Sequence, residues 1–185
     1  MSAASLLQHL YLSHFVKPVA DRAVFRTLQK TRAGNLVAIG LGDGQLARNM
    51  ILFAHRHTTR AHVRFTGIDL FEMRAGATGG LPLKQAHQML HSLPARIQLI
   101  PGDPFEAFAR HANSLLDSDL VVIQADQLGA AMDRAWFYVP RMLHHESLVL
   151  VNRPGTDGKL GSYHVLDREA IQQAARVAKV RRKAA

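Results

Sequence analysis

The sequence predicts a doubly wound α/β fold: a mostly parallel sheet with helices on both faces. Three observations predict it. Short apolar runs alternate with longer helix-like stretches. The runs are rich in Val, Ile and Leu and do not alternate cleanly with polar residues, as strands covered on both faces read. The first run ends in Gly40, Gly42 and Gly44, directly before a helix-like stretch.

Taken in order, Ala3–Leu12 and Val19–Thr31 read as helices. Pro18 stands where the second begins, and Asp21, Ala23, Val24, Phe25 and Leu28 give it an amphipathic face. The first strand is Leu36–Gly40, followed by a helix over Gln45–Arg56. Strand Val63–Ile68 leads to helix Leu83–Leu93, and strand Arg96–Ile100 to helix Pro104–Leu116. Strand Asp119–Gln124 leads to helix Gly129–Leu143 and then to strand Ser147–Asn152. Pro154, Gly155, Gly158 and Gly161 mark Arg153–Ser162 as turns. Tyr163–Leu166 reads as a short sixth strand, and Asp167 as the cap of a last helix, Arg168–Lys179. The chain reads as one domain over residues 1–185, with N-terminal helices in 1–33, a core in 34–152 and a shortened C-terminal part in 153–185.

Composition narrows the class. With 185 residues, 48% hydrophobic and 20% charged, this is an ordinary globular composition with room for a sizeable core. The lack of cysteine excludes disulfides, thiolate metal sites and cysteine nucleophiles. The N-terminus shows no signal-peptide pattern, and no apolar stretch approaches the ~20 residues of a membrane span. A cytoplasmic protein with no membrane partner is expected. The net charge of +9 brings in a polyanion such as RNA as a second partner class. Against it, the arginines are scattered, only Lys179–Lys183 is dense, and aromatics make up 6%.

In such sheets a ligand sits outside the carboxyl ends of the strands, near the point where strand order reverses. The glycine turn stands there first. Glycine has no Cβ, so backbone there can approach a ligand closely. Asp69 ends the second strand, where a carboxylate can accept from both hydroxyls of a ribose. After the third strand comes Gly102-Asp103-Pro104. Asp103 suits either a helix N-cap or an acceptor for an exocyclic amine. Asp126 stands at the mouth of the fourth strand. Gly42, Gly44 and Ala47 also satisfy a dinucleotide fingerprint, so a nicotinamide cofactor stays open.

Other chemistry finds less support. His87 and His91 share a helix face, but no third ligand stands at metal-site spacing. There is no Gly-x-Ser-x-Gly elbow, and no Lys or Ser/Thr follows the glycine turn as a phosphate loop requires.

The order of motifs resembles the class I S-adenosylmethionine-dependent methyltransferases over roughly residues 15–152. Val37–Gly44 looks like the family's first motif. The resemblance implies that Gly40, Gly42 and Gly44, with Leu41 between them, wrap the methionine part of the cofactor. It implies that Asp69 holds the ribose hydroxyls and that Leu70 packs on adenine. Gly102, Asp103 and Pro104 match the motif whose acid faces the adenine amino group. The pattern is nearest to small-molecule O-methyltransferases, some of which hold a divalent cation at the ends of strands four and five. Here Gln124, Gln127 and Asn152-Arg153 stand at those positions, so no metal is expected. Ala38 stands where the first motif usually has an acid.

The resemblance implies an S-adenosylmethionine-dependent enzyme that methylates oxygen or nitrogen of a small-molecule acceptor and releases S-adenosylhomocysteine. Asp126 is the candidate base. A catalytically silent binding module of the same fold and a nicotinamide-binding domain are the alternatives, and a homodimer is an open state of assembly.

Overall fold

The computed structural model describes residues 20–74, 80–155 and 161–183. The helix expected over Ala3–Leu12, Pro18 and part of the turn-rich segment after Arg153 lie outside the described residues.

The described chain runs α1 (Asp21–Thr31), β1 (Asn35–Ile39), α2 (Gln45–His57), β2 (Val63–Asp69), α3 (Leu83–His91), β3 (Ala95–Pro101), α4 (Pro104–His111), β4 (Ser118–Ile123), α5 (Ala130–Ala135), α6 (Val139–Met142), β5 (Leu143–Arg153), β6 (Ser162–Leu166) and α7 (Arg168–Lys183). The strands form one sheet in the order β3-β2-β1-β4-β5-β6. All neighbours are parallel except the antiparallel pair β5 and β6. This is the doubly wound sheet that the strand–helix alternation predicts.

The apolar runs carry no polar alternation because both faces of the central strands are covered. Every residue of β1 and β4 is buried. Leu36, Ala38, Leu120 and Val122 face α1, α2 and α3, packing on Val24, Phe25, Met50, Phe53 and Leu90. Val37, Ile39, Val121 and Ile123 face the opposite layer, with Phe108, Met132, Val139 and Met142. Each fully buried Phe or Leu contributes ~1.5–3 kcal/mol of transfer free energy, so these two layers hold the carboxyl ends of β1 and β4 rigidly. The edge strand β3 alternates instead, with Arg96 and Gln98 exposed.

Three elements differ from the sequence expectation. The helix expected over Gly129–Leu143 is two short helices. Pro140 has no N–H to continue the ladder from α5 and sits instead in the first turn of α6. β5 begins at Leu143 rather than Ser147, because an irregularity opposite Ser118 and Leu120 keeps its polar start, His144-His145-Glu146, in register with β4. The last helix continues through the basic cluster to Lys183. Long basic side chains are good helix formers and suit a helix C-terminus. No described helix is long and apolar enough to cross a membrane.

Candidate functional site

The strand order reverses between β1 and its neighbours β2 and β4. Gly40 N–H donates to Ile68 O at 2.8 Å on one side, and Gln124 N–H to Ile39 O at 2.9 Å on the other. The chain leaves β1 between them, which opens a crevice at the carboxyl end of the sheet.

Gly40, Gly42 and Gly44 all have positive φ, at 84°, 58° and 79°. The three glycines are therefore required by the turn itself. Their surroundings differ. A Cβ on Gly40 would lie 2.8 Å from Gln127 Cγ and 2.9 Å from Gln124 Cβ. A Cβ on Gly42 would meet nothing within 4 Å. Gly42 is thus the glycine that opens onto free space, a cleft of about 380 Å³. Leu41, Asp43, Asp21, Gln124 and Asp126 contribute to its walls.

Asp69 is 3% exposed at the end of β2. Its Oδ2 accepts from Leu41 N–H at 2.6 Å, tying strand two to the glycine turn. Its Oδ1 accepts from Phe71 N–H at 3.0 Å and from Arg74 Nη2 at 2.7 Å. Arg74 reaches on, and its Nη1 lies 3.1 Å from Asp126 Oδ2. One guanidinium thus joins the two carboxylates that the sequence singled out as ribose ligand and base. Leu70 is half-buried beside it. Gly102 has φ 134°, and Asp103 N-caps α4, accepting from Glu106 N–H at 3.0 Å with Pro104 in the first turn.

The far wall is built of amides. Asn152 Nδ2 donates to Gln124 Oε1 at 3.2 Å, so the residues standing in place of acidic ligands satisfy each other. Behind them the Tyr163 hydroxyl is buried with no hydrogen-bond partner among the described residues. Burial, and the nearby Asp21 carboxylate, push its acidity far down, so it stays protonated. Asp21, at the start of α1, has its carboxyl raised to about 6 by burial and by Asp43.

At the opposite end of the sheet, Asp119 takes N–H groups of Gly34 and Asn35 at 2.7 and 2.8 Å, and Arg60 Nε at 2.8 Å. His144 Nε2 lies 2.9 Å from it, while His144 Nδ1 accepts from Glu146 N–H at 3.2 Å. Burial raises the Asp119 carboxyl, but these donors outweigh it and hold it below the ordinary range. This cluster clamps the amino ends of β1, β4 and β5 and lies away from the crevice.

No protein-family model matches the chain, and no curated protein sequence matches it. Solved structures do. A TehB-like SAM-dependent methyltransferase from Corynebacterium glutamicum superposes with a TM-score of 0.53 at 14% identity, over 95% of this chain and 79% of that one. The O-methyltransferase from Bacillus cereus, in complex with SAH, superposes with a TM-score of 0.56 at 16% identity, over 97% of this chain and 79% of that one. The methyltransferase MycE, in complex with Mg and SAH, superposes with a TM-score of 0.53 at 13% identity, over 81% of this chain and 38% of that one.

The chain has the class I S-adenosylmethionine-dependent methyltransferase fold.

Within that methyltransferase fold, the structure brings Leu41, Gly42 and Asp126 onto one cleft. Gly40 and Gly44 shape the turn from behind. Asp69 is joined to the cleft through Arg74, whereas Leu70, Gly102, Asp103 and Pro104 stand outside its walls. Sequence reasoning missed Arg74, which reads as one of many scattered arginines. It also missed Tyr163, which reads as the start of an edge strand. Asp21 reads as part of an amphipathic face. Its position at the first turn of a helix that packs against α2 and β6 was the only signal available.

Proposed function

We propose that this protein is a cytoplasmic, metal-independent methyltransferase that uses S-adenosylmethionine to methylate an oxygen or nitrogen of a small-molecule acceptor. The observation that carries the reading is Gly42: a glycine with φ 58° at the carboxyl end of β1, whose missing side chain leaves room toward a cleft of about 380 Å³. The residues fit the cofactor. The buried, partnerless Tyr163 hydroxyl adds polar capacity behind the wall.

When bound, the cofactor supplies an electrophilic methyl group on a sulfonium. The chain's own part is mostly positioning. The glycine turn holds the methionine portion by close backbone approach. Asp69 accepts from the ribose hydroxyls once Arg74 releases Oδ1, while Oδ2 keeps its bond to Leu41 N–H. Leu70 and the Gly102-Asp103-Pro104 turn border the adenine. Asp126 stands at the open side of the cleft, 49% exposed, where its Oδ1 accepts no hydrogen bond among the described residues. It receives the proton of the acceptor as the new bond to carbon forms. The paired amides of Gln124 and Asn152 offer no charged oxygen to a hard cation.

Calorimetric titration with S-adenosylmethionine and S-adenosylhomocysteine tests the reading. Binding of either at micromolar concentration is the expected result. No heat at millimolar concentration of both, with the protein folded, refutes it.

A further inference from the structure

The end of the cleft farthest from Asp69 holds a carboxylate that the fold leaves without a counter-charge. Asp21 enters from the first turn of α1 and shares the cleft with Gly42, Asp43 and Asp126. Among the described residues, Asp21 has no hydrogen bond and no ion pair. Asp43 is different: its Oδ1 accepts from Gln45 N–H at 2.9 Å and helps start α2. β1 adds no charge of its own at this level, since Ala38 is apolar and buried.

A second, independent feature points to a ligand at the same end. Tyr163 is 9% exposed, and its hydroxyl has no hydrogen-bond partner among the described residues. It faces the wall formed by Gln124 and Asn152 and lies within electrostatic reach of both Asp21 and Asp126. Leaving such a donor unpaired costs ~1–3 kcal/mol, and leaving a half-buried carboxylate unpaired beside another is also unfavourable. Both costs fall when a ligand brings a cation and an acceptor to this place.

We infer that Asp21 is the residue that binds the α-ammonium group of the cofactor's amino-acid end, with the Tyr163 hydroxyl completing the polar wall behind it. The inference rests on the methyltransferase reading above. Direction supports it. Ribose at Asp69 places adenosine on the β2 side of the glycine turn. The remaining length of the ligand then passes Gly42 toward the β4–β5 side, where Asp21 stands. An α-amino acid group carries the ammonium that Asp21 lacks and a carboxylate that can accept from Tyr163. The burial and the Asp43 charge that raise the Asp21 carboxyl are what a cationic ligand would offset.

The test compares two nucleosides on the wild-type chain and on Asp21→Asn. S-adenosylhomocysteine carries the amino-acid end, and methylthioadenosine lacks it. The expected result is that Asp21→Asn weakens S-adenosylhomocysteine by ~10- to 100-fold, the range for a hydrogen bond to a charged group. Methylthioadenosine binds both proteins alike. Asp21→Glu, which keeps the charge, retains most of the preference for S-adenosylhomocysteine, and a circular-dichroism melt confirms that each variant is folded. Equal binding of S-adenosylhomocysteine by wild type and folded Asp21→Asn overturns the inference and leaves the methyltransferase reading standing. Equal loss of both nucleosides also overturns it, because the defect is then not confined to the amino-acid end. If wild type binds neither nucleoside, the reading fails and this inference fails with it.

Discussion

Arg74 Nη2 donates to Asp69 Oδ1 at 2.7 Å, so the acid that ends β2 is held by a cation from the segment that follows it. Asp69 also accepts from Leu41 and Phe71. Oδ1 therefore has no site left for a hydroxyl, whereas Oδ2 keeps one. A ribose that takes both oxygens must displace Arg74.

Arg74→Ala separates these two roles of Asp69. In the free protein it removes a mostly buried charge-assisted bond and should lower stability by ~2 kcal/mol. That corresponds to a fall in Tm of ~4–8 °C at this chain length. In the titration the same change should tighten S-adenosylhomocysteine by ~10-fold, because ~1.4 kcal/mol of competition is gone. Weaker binding by a folded Arg74→Ala protein would instead mean that Arg74 stays and contacts the ligand.

The glycine turn gives a second contrast. Gly42→Ala places a methyl in open space at positive φ and should cost ~1–2 kcal/mol of stability. Gly40→Ala adds a close approach to Gln124 and Gln127 and should cost more. Ligand affinity should fall in the same order of magnitude for Gly42→Ala as its cleft closes, by ~10-fold or more. Melting curves and titrations on both variants check this. If Gly42→Ala binds as tightly as wild type, the ligand does not pass that residue.

Two buried carboxylates should tilt the pH dependence of stability in opposite directions. Asp21 titrates near 6 when folded and near 3.8 when unfolded. The folded chain therefore holds its proton longer, and stability falls as pH rises between those values. A shift of that size is at most ~3 kcal/mol for a fully buried group, and partial exposure reduces it to ~1 kcal/mol. Asp21→Asn should thus stabilise the ligand-free protein at pH 8 and have little effect at pH 3.5. Asp43, Asp126 and Tyr163 face the same group and remain in the variant. Asp119 behaves oppositely. Its folded value is depressed, so its contribution is present above pH 3.8 and is lost as pH falls below it. Asp119→Asn should destabilise at neutral pH and leave acid unfolding less steep. Urea unfolding across pH 3–8 on both variants resolves the two signs.

The Asn152–Gln124 amide pair carries the metal prediction. Binding of S-adenosylhomocysteine, and methyl transfer on any acceptor found, should be unchanged by excess EDTA or by millimolar magnesium. A chelator-sensitive activity would show that the cation uses ligands other than these amides.

The basic C-terminal cluster illustrates how tertiary contacts alter a sequence reading. Arg181 pairs with Asp133 at 3.1 Å, and the Arg182 guanidinium lies 5.1 Å from the Phe137 ring centre. Part of what reads as a free basic tail is spent on packing α7 against the sheet layer.

The sequence by itself determined the doubly wound order, the placement of the glycine turn and the acid that ends β2. Those features are local or periodic: buried strands must be apolar on both faces, and a turn at positive φ must be glycine. It missed the break at Pro140 and the early start of β5, where a single missing N–H and a register irregularity decided the outcome. Only the tertiary structure showed that Arg74 links Asp69 to Asp126, that Asn152 satisfies Gln124, and that Asp21 and Tyr163 meet behind the same cleft. These are contacts between residues 28 to 142 positions apart. No periodicity encodes them, because they depend on which side chains the sheet order brings to one edge.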